Sequence, residues 1–90
     1  MNLTRRIARA AGNMSGMTAI EIGPGPGGLT RALLETDAVR VIAIEHDERC
    51  VAALAELESS ECGRLELIHA DALELDIANL VGSDPARIVA

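Results

Sequence analysis

A parallel α/β sheet of about four strands, with helices on both faces, is the fold the sequence predicts. Three observations carry that prediction. Short, apolar, β-branched runs alternate with helix-like stretches along the 90 residues. The clearest run, VRVIAIE (39–45), is apolar nearly throughout, as a strand covered on both faces must be. A glycine-rich turn, EIGPGPGGLT (21–30), follows the first run and opens a helix, a junction at which open parallel sheets bind ligands.

The elements follow in order. Leu3, Ile7, Ala11 and Met14, spaced by three or four residues with arginines between them, predict an amphipathic first helix, broken by Gly12, Asn13 and Gly16. MTAIEI (17–22) reads as a buried strand ending at glycine. Gly28 through Glu35 reads as a helix with Leu29, Ala32 and Leu33 toward the sheet. After the strand 39–45, Asp47 suits the N-cap of a second helix, DERCVAALAELESS, with Val51, Leu54, Leu57 and Glu58 marking its inner face. Gly63 closes it. RLELIHA (64–70) is a third strand, LELDIANLV (73–81) a weaker helix closed by Gly82-Ser83-Asp84-Pro85, and RIVA (87–90) a fourth strand. Right-handed crossovers then gather the glycine turn, Glu45-His46-Asp47 and Asp71 at the carboxyl ends of the strands.

Composition sets limits. The chain has no Phe, Trp or Tyr, and all eight basic residues are Arg. Its core must therefore be built from Leu, Ile, Val, Ala and Met. Of the net charge of −6, Arg5, Arg6 and Arg9 give the opening segment about +3 and leave the rest at about −9. An acidic body of this kind argues against strong polyanion binding by this piece alone, while the basic opening leaves room for a local contact with phosphates. No run of eighteen apolar residues exists, so no membrane span is expected, and the opening lacks a secretory signal pattern. Cys50 and Cys62 read as idle thiols of a reducing, cytoplasmic compartment. His46 and His69 near Asp71 lack a third clear ligand, so no metal site is expected.

The glycine turn decides the ligand class. Gly23-x-Gly25-x-x-Gly28 matches a dinucleotide fingerprint, with Glu45 about twenty residues on, where a ribose acceptor belongs. A pyrophosphate, however, is held by main-chain N–H groups, and Pro24 and Pro26 supply none. A P-loop is excluded because no Lys follows the glycines. Glu21, at the end of the first strand, would repel a diphosphate and favour a cation. A phosphate-free, cationic nucleoside fits these residues, and S-adenosylmethionine is one. A nicotinamide-dependent oxidoreductase, or a non-catalytic binding or assembly module on the same sheet, are the alternatives.

EIGPGPGGLT, then VIAIEHD, then HADAL, in this spacing, resembles the ribosomal RNA adenine N6,N6-dimethyltransferase family, and NLTRRIARAAG and RIVA resemble further segments of its methyltransferase domain. The resemblance implies a Rossmann-like S-adenosylmethionine-dependent methyltransferase fold acting on small-subunit ribosomal RNA. It implies that Gly23, Gly25 and Gly27 cradle the methionyl part of the cofactor and that Glu45 binds the ribose hydroxyls. Asp71 would accept from the adenine amine, beside the backbone of Ala72; Asp71 suits an N-cap as well, and the two roles can coexist. The family's upstream QNFL-like stretch and its Asn-Leu-Pro-Tyr-like catalytic motif would fall before Met1 and after Ala90. Residues 1–90 are thus expected to be a partial, cofactor-binding domain without an aromatic platform for the target base, inactive alone. The Ile88–Val89 strand is expected to be an apolar edge that invites self-association and leaves the domain marginally stable.

Overall fold

The computed structural model describes residues 14–25, 28–61, 63–82 and 85–89. Its elements are β1 (Thr18–Ile22), α1 (Gly28–Leu34), β2 (Arg40–Glu45), α2 (Glu48–Ser60), β3 (Leu65–His69), a 3-10 turn (Ala72–Glu74), α3 (Ile77–Val81) and β4 (Ala86–Val89). The strands form one parallel sheet in the order β3-β2-β1-β4. The chain moves outward from β1 to β3, then crosses back to the far side of β1. That reversal opens a crevice at the carboxyl ends of the central strands.

Alternation of side chains along the strands builds two cores. On one face Ala19, Val41, Ala43, Leu65 and Val89 pack beneath Ala32, Leu33 and Leu34 of α1, with Leu57 of α2 joining them. On the other face Ile20, Ile42 and Ile44 meet Leu75, Ile77, Leu80 and Val81 around α3. β2, buried at every position from Val41 to Glu45, lies in the middle of both, which explains its unbroken apolar run. The four-strand parallel sheet with helices on both faces is as expected. Met14 belongs to the first core, while the rest of the predicted first helix, with Arg5, Arg6 and Arg9, lies outside the described residues.

One expected helix divides. Between residues 73 and 81 the chain makes the 3-10 turn, an extended Leu75, and then the five-residue α3. Asp76 is the cause: its side chain accepts from the Asn79 N–H and starts a new helix where the apolar pattern suggested continuation.

Two side chains finish what the backbone leaves open. Glu58 of α2 accepts from the outward N–H of Leu67 at 2.7 Å, closing part of the β3 edge. Arg64 donates to the carbonyls of Leu34 (2.8 Å), Thr36 (3.4 Å) and Ala38 (2.8 Å), where α1 ends and turns toward β2. A cation is well placed at a helix C-terminus. Arg64→Ala is expected to lower stability by about 1–3 kcal/mol, the range for lost charged hydrogen bonds. Thermal unfolding tests it; an unchanged midpoint would mean that water serves those carbonyls equally well.

Candidate functional site

β1 runs out into the glycine turn at two left-handed residues, Gly23 (φ +67°) and Gly25 (φ +66°). A Cβ at either position would meet nothing within 4 Å, so glycine is required by the backbone conformation and not by crowding. The Gly23 N–H donates to the Ile44 carbonyl at 2.9 Å, and the Gly25 N–H donates to Glu45 Oε1 at 2.8 Å. Pro24 between them has no N–H. Every donor from 23 to 25 is therefore directed at the protein itself, and none is left for a phosphate.

Glu45, at the carboxyl end of β2, is 5% exposed. Its Oε1 holds Gly25, and its Oε2 accepts from the N–H groups of His46 and Asp47, each at 3.0 Å. Burial opposes its ionisation, but these N–H groups, with the His46 ring 3.4 Å away, outweigh burial and hold the carboxyl below its ordinary range. Glu45 is a stable anion that locks the glycine turn to β2.

Glu21 behaves oppositely. It lies at the end of β1, 1% exposed, and accepts a hydrogen bond from the Thr30 hydroxyl of α1. Burial raises its pKa, the Thr30 hydrogen bond lowers it in part, and the neighbouring Glu45 charge raises it again, for a net upward shift. It sits beneath the turn, beside Ile22 and Gly23, and does not itself line the cavity described next.

That cavity, of about 320 Å³, is bounded by Ile22, Gly23, Ile44, Glu45, Ala70 and Asp71, with His46, Ala72, Leu73 and Ile77 completing its mostly apolar wall. It joins the carboxyl ends of β1, β2 and β3, and its volume lies at the lower end of the roughly 300–1,000 Å³ usual for small-molecule sites. Asp71 caps the 3-10 turn through Oδ1, which accepts from the Leu73 N–H at 2.9 Å, leaving Oδ2 for another donor. His46 is largely exposed at the rim, and its carbonyl lies 3.3 Å from His69 Nε2.

Thus Gly23, Glu45, Asp71 and Ala72 meet in one cleft, Gly25 adjoins it through Glu45, Glu21 lies behind it, and Gly27 falls outside the described residues. Sequence reasoning missed Thr30, the last residue of the quoted motif; a hydroxyl in the first turn of the helix that follows the glycine turn, nine residues after the acid, was the available signal. Among the described residues, no group of three or more His, Cys, Asp or Glu could hold a metal, and no helix is long and apolar enough to cross a membrane.

Comparison with known proteins agrees with this architecture. The sequence profile of the ribosomal RNA adenine dimethylase family matches residues 1–90. The ribosomal RNA small subunit methyltransferase A of Methylobacterium radiotolerans is 61% identical over the whole chain, and so is that of Rhodopseudomonas palustris; the chain spans 31% of the length of each. Among solved structures, the 23S rRNA methyltransferase ErmE superposes with a TM-score of 0.71 at 34% identity, covering 81% of this chain and 29% of its own. A dimethyladenosine transferase from Plasmodium falciparum gives 0.70 at 32% identity, covering 82% and 27%. TYW2 of M. jannaschii, solved in complex with AdoMet, shares the fold at 20% identity with a TM-score of 0.63, covering 83% and 36%. With a matching profile along its full length and this degree of identity, the chain belongs to the ribosomal RNA adenine dimethylase family.

Proposed function

We propose that the chain is the cofactor-binding part of an S-adenosylmethionine-dependent dimethyltransferase that modifies N6 of adenines in small-subunit ribosomal RNA, in the cytoplasm, as a step of ribosome biogenesis. The observation that carries the cofactor reading is the turn whose N–H groups end on Ile44 and Glu45. Among the described residues of the turn, the N–H groups of Gly23 and Gly25 are spent on the protein and are not open to a phosphate. The small-subunit rRNA substrate rests on the names of the relatives.

The residues fit this cofactor. Glu45 presents a fixed anion for hydroxyl donors, Asp71 keeps Oδ2 for an amine, and the Ala72 backbone and the apolar walls accommodate a base. Gly23 and Gly25, with Gly27 beyond the described residues, pass the methionyl part, and Glu21 supplies negative charge behind it. When bound, the cofactor supplies an electrophilic methyl group on sulfur. The chain's own residues hold and orient it. With no Phe, Tyr or Trp among its 90 residues, the chain has no aromatic on which to stack a target adenine. At the sheet's β4 side, Ile88 is 57% exposed, and we place self-association of this chain there.

Titration of S-adenosylhomocysteine into isotopically labelled chain tests the cofactor reading. Amide shifts are expected at Gly23, Gly25, His46, Asp47, Ala72 and Leu73, and a nicotinamide dinucleotide should produce none of them. A well-dispersed spectrum that ignores S-adenosylhomocysteine at millimolar concentration would sink the reading.

A further inference from the structure

Thr30 is the unassigned polar residue of the glycine motif. It lies in the first turn of α1, fully buried, where an isosteric Val would pack equally well. Its hydroxyl donates to Glu21, whose carboxylate lies under the turn. A buried carboxylate without a donor would carry the full desolvation penalty of its charge. Thr30 therefore does more than fill space: it is the contact that offsets part of the cost of a charge at this depth.

We infer that Thr30 is a positioning residue that holds the Glu21 carboxylate beneath the glycine turn, and that this carboxylate makes the site prefer the cationic sulfonium cofactor over its neutral thioether product. The inference rests on the cofactor reading above and adds to it a determinant of ligand charge. S-adenosylmethionine and S-adenosylhomocysteine share the nucleoside, the amine and the carboxylate; they differ in the methyl group and in the charge on sulfur. Contacts from Glu45 and Asp71 to the common nucleoside serve both ligands equally. A difference in affinity must come from groups that sense the sulfur, and a carboxylate next to Ile22 and Gly23, screened from water, is suited to that.

The balance is delicate because Glu21 has an opponent. Burial favours its neutral form, the Thr30 hydrogen bond favours the anion, and Glu45 on β2, the charged group acting on it among the described residues, favours the neutral form again. Removing the Thr30 hydroxyl leaves only influences that discharge Glu21. Preference for the sulfonium should therefore fall as pH drops through the Glu21 midpoint, and in Thr30→Val it should fall at a higher pH.

The test compares the affinities of S-adenosylmethionine and S-adenosylhomocysteine by calorimetry across pH, in the full chain and in Thr30→Val, Thr30→Ser, Glu21→Gln and the Thr30→Val/Glu21→Gln double variant. Between the parent Glu21 midpoint and the higher one of Thr30→Val, the ratio of affinities in Thr30→Val should fall by about fivefold to tenfold, the size of one partly screened charge interaction. Thr30→Ser should stay near the parent ratio, Glu21→Gln should match Thr30→Val, and the double variant should lose nothing more. Carbon-detected NMR of the Glu21 carboxyl should show a higher midpoint in Thr30→Val, a readout that needs no ligand. Equal weakening of both ligands, an unchanged ratio, or an unmoved Glu21 midpoint would overturn the inference while leaving the cofactor reading intact. Failure of the parent chain to bind either ligand would overturn both. Should Thr30→Val not fold, Glu21→Gln decides: an unchanged ratio there overturns the inference.

Discussion

Replacing Glu45 with alanine is expected to abolish measurable cofactor binding and to lower stability by about 2–4 kcal/mol. Three backbone N–H groups, from Gly25, His46 and Asp47, converge on its two oxygens. Without the carboxylate they lose a charged acceptor, and the bond from Gly25, which ties the glycine turn to β2, disappears. The expected ribose acceptor vanishes with it. Water entering the open cleft would re-satisfy part of the loss, which places the stability effect in the middle of the range for buried polar networks.

Glu45→Gln separates the two roles. Both carboxylate oxygens accept hydrogen bonds, whereas an amide offers one acceptor oxygen and one donor nitrogen. Turned with its nitrogen toward Gly25, Gln sacrifices one backbone bond; turned the other way, it sacrifices those of His46 and Asp47. The first orientation is favoured, so the variant should keep β2 and α2 intact while releasing the turn. Calorimetric binding and urea unfolding measure both effects, and parent-like affinity in Glu45→Gln would remove Glu45 from the ligand contacts. The pH dependence has a definite sign. Glu45 is held below the ordinary carboxylate value of 4.5, so its contribution is present above that value and is lost as pH falls through the lower folded one. Glu21, raised above 4.5 by burial, works the other way: its protonated form is favoured on folding, and that contribution is lost as pH rises through its folded value. Glu21→Gln should therefore flatten the rise in stability toward mild acid without touching the collapse at low pH.

The sheet was legible because its signals are local and redundant. β2 announces itself by Val41-Ile42-Ala43-Ile44, α2 by the Asp47 cap and the Leu54–Leu57 face, and β1 by a β-branched run ending at a positive-φ glycine. The cleft was legible because parallel topology brings strand ends together whatever lies between them, and so Glu45 and Asp71 could be paired from the order of elements alone. What stayed hidden depends on side chains reaching across sequence. Nothing local to Arg64 reveals that its guanidinium serves the end of α1, or that Glu58 closes a strand edge. The split of the last helix was missed for a different reason. Asp76 can be read as a helical surface residue or as a cap, and the choice is made by Leu75 turning extended to pack against the isoleucine face.

Leu33→Ala is expected to be the most damaging single change in the core. Leu33 is fully buried between α1 and the sheet, in a core whose neighbouring residues include Ala19, Ala32, Ala38 and Ala43. Alanines cannot swing into a vacated space, and no aromatic ring is present to spread over it. The loss should therefore fall near the upper part of the roughly 2.7–5 kcal/mol range for Leu-to-Ala changes. At about 0.05–0.15 kcal/mol per residue, a domain this small holds only some 5–13 kcal/mol in total, so one side chain can remove a third or more of it. The damage would also be specific. α1 has seven residues, too few to persist without packing, and its first turn carries Thr30. Freeing α1 releases the donor to Glu21 and the C-terminal anchor of the glycine turn together. Urea unfolding should show a markedly lower midpoint with an unchanged slope, and at 25 °C the Gly25 amide should lose protection from hydrogen exchange before the amides of β2 do. By contrast, Leu73→Ala, at a residue 94% exposed, should leave the midpoint in place. If Leu33→Ala shifted the midpoint no further than Leu73→Ala, α1 would have to be held by something other than this side chain. The link drawn between the core and the cofactor turn would then fail at its first step.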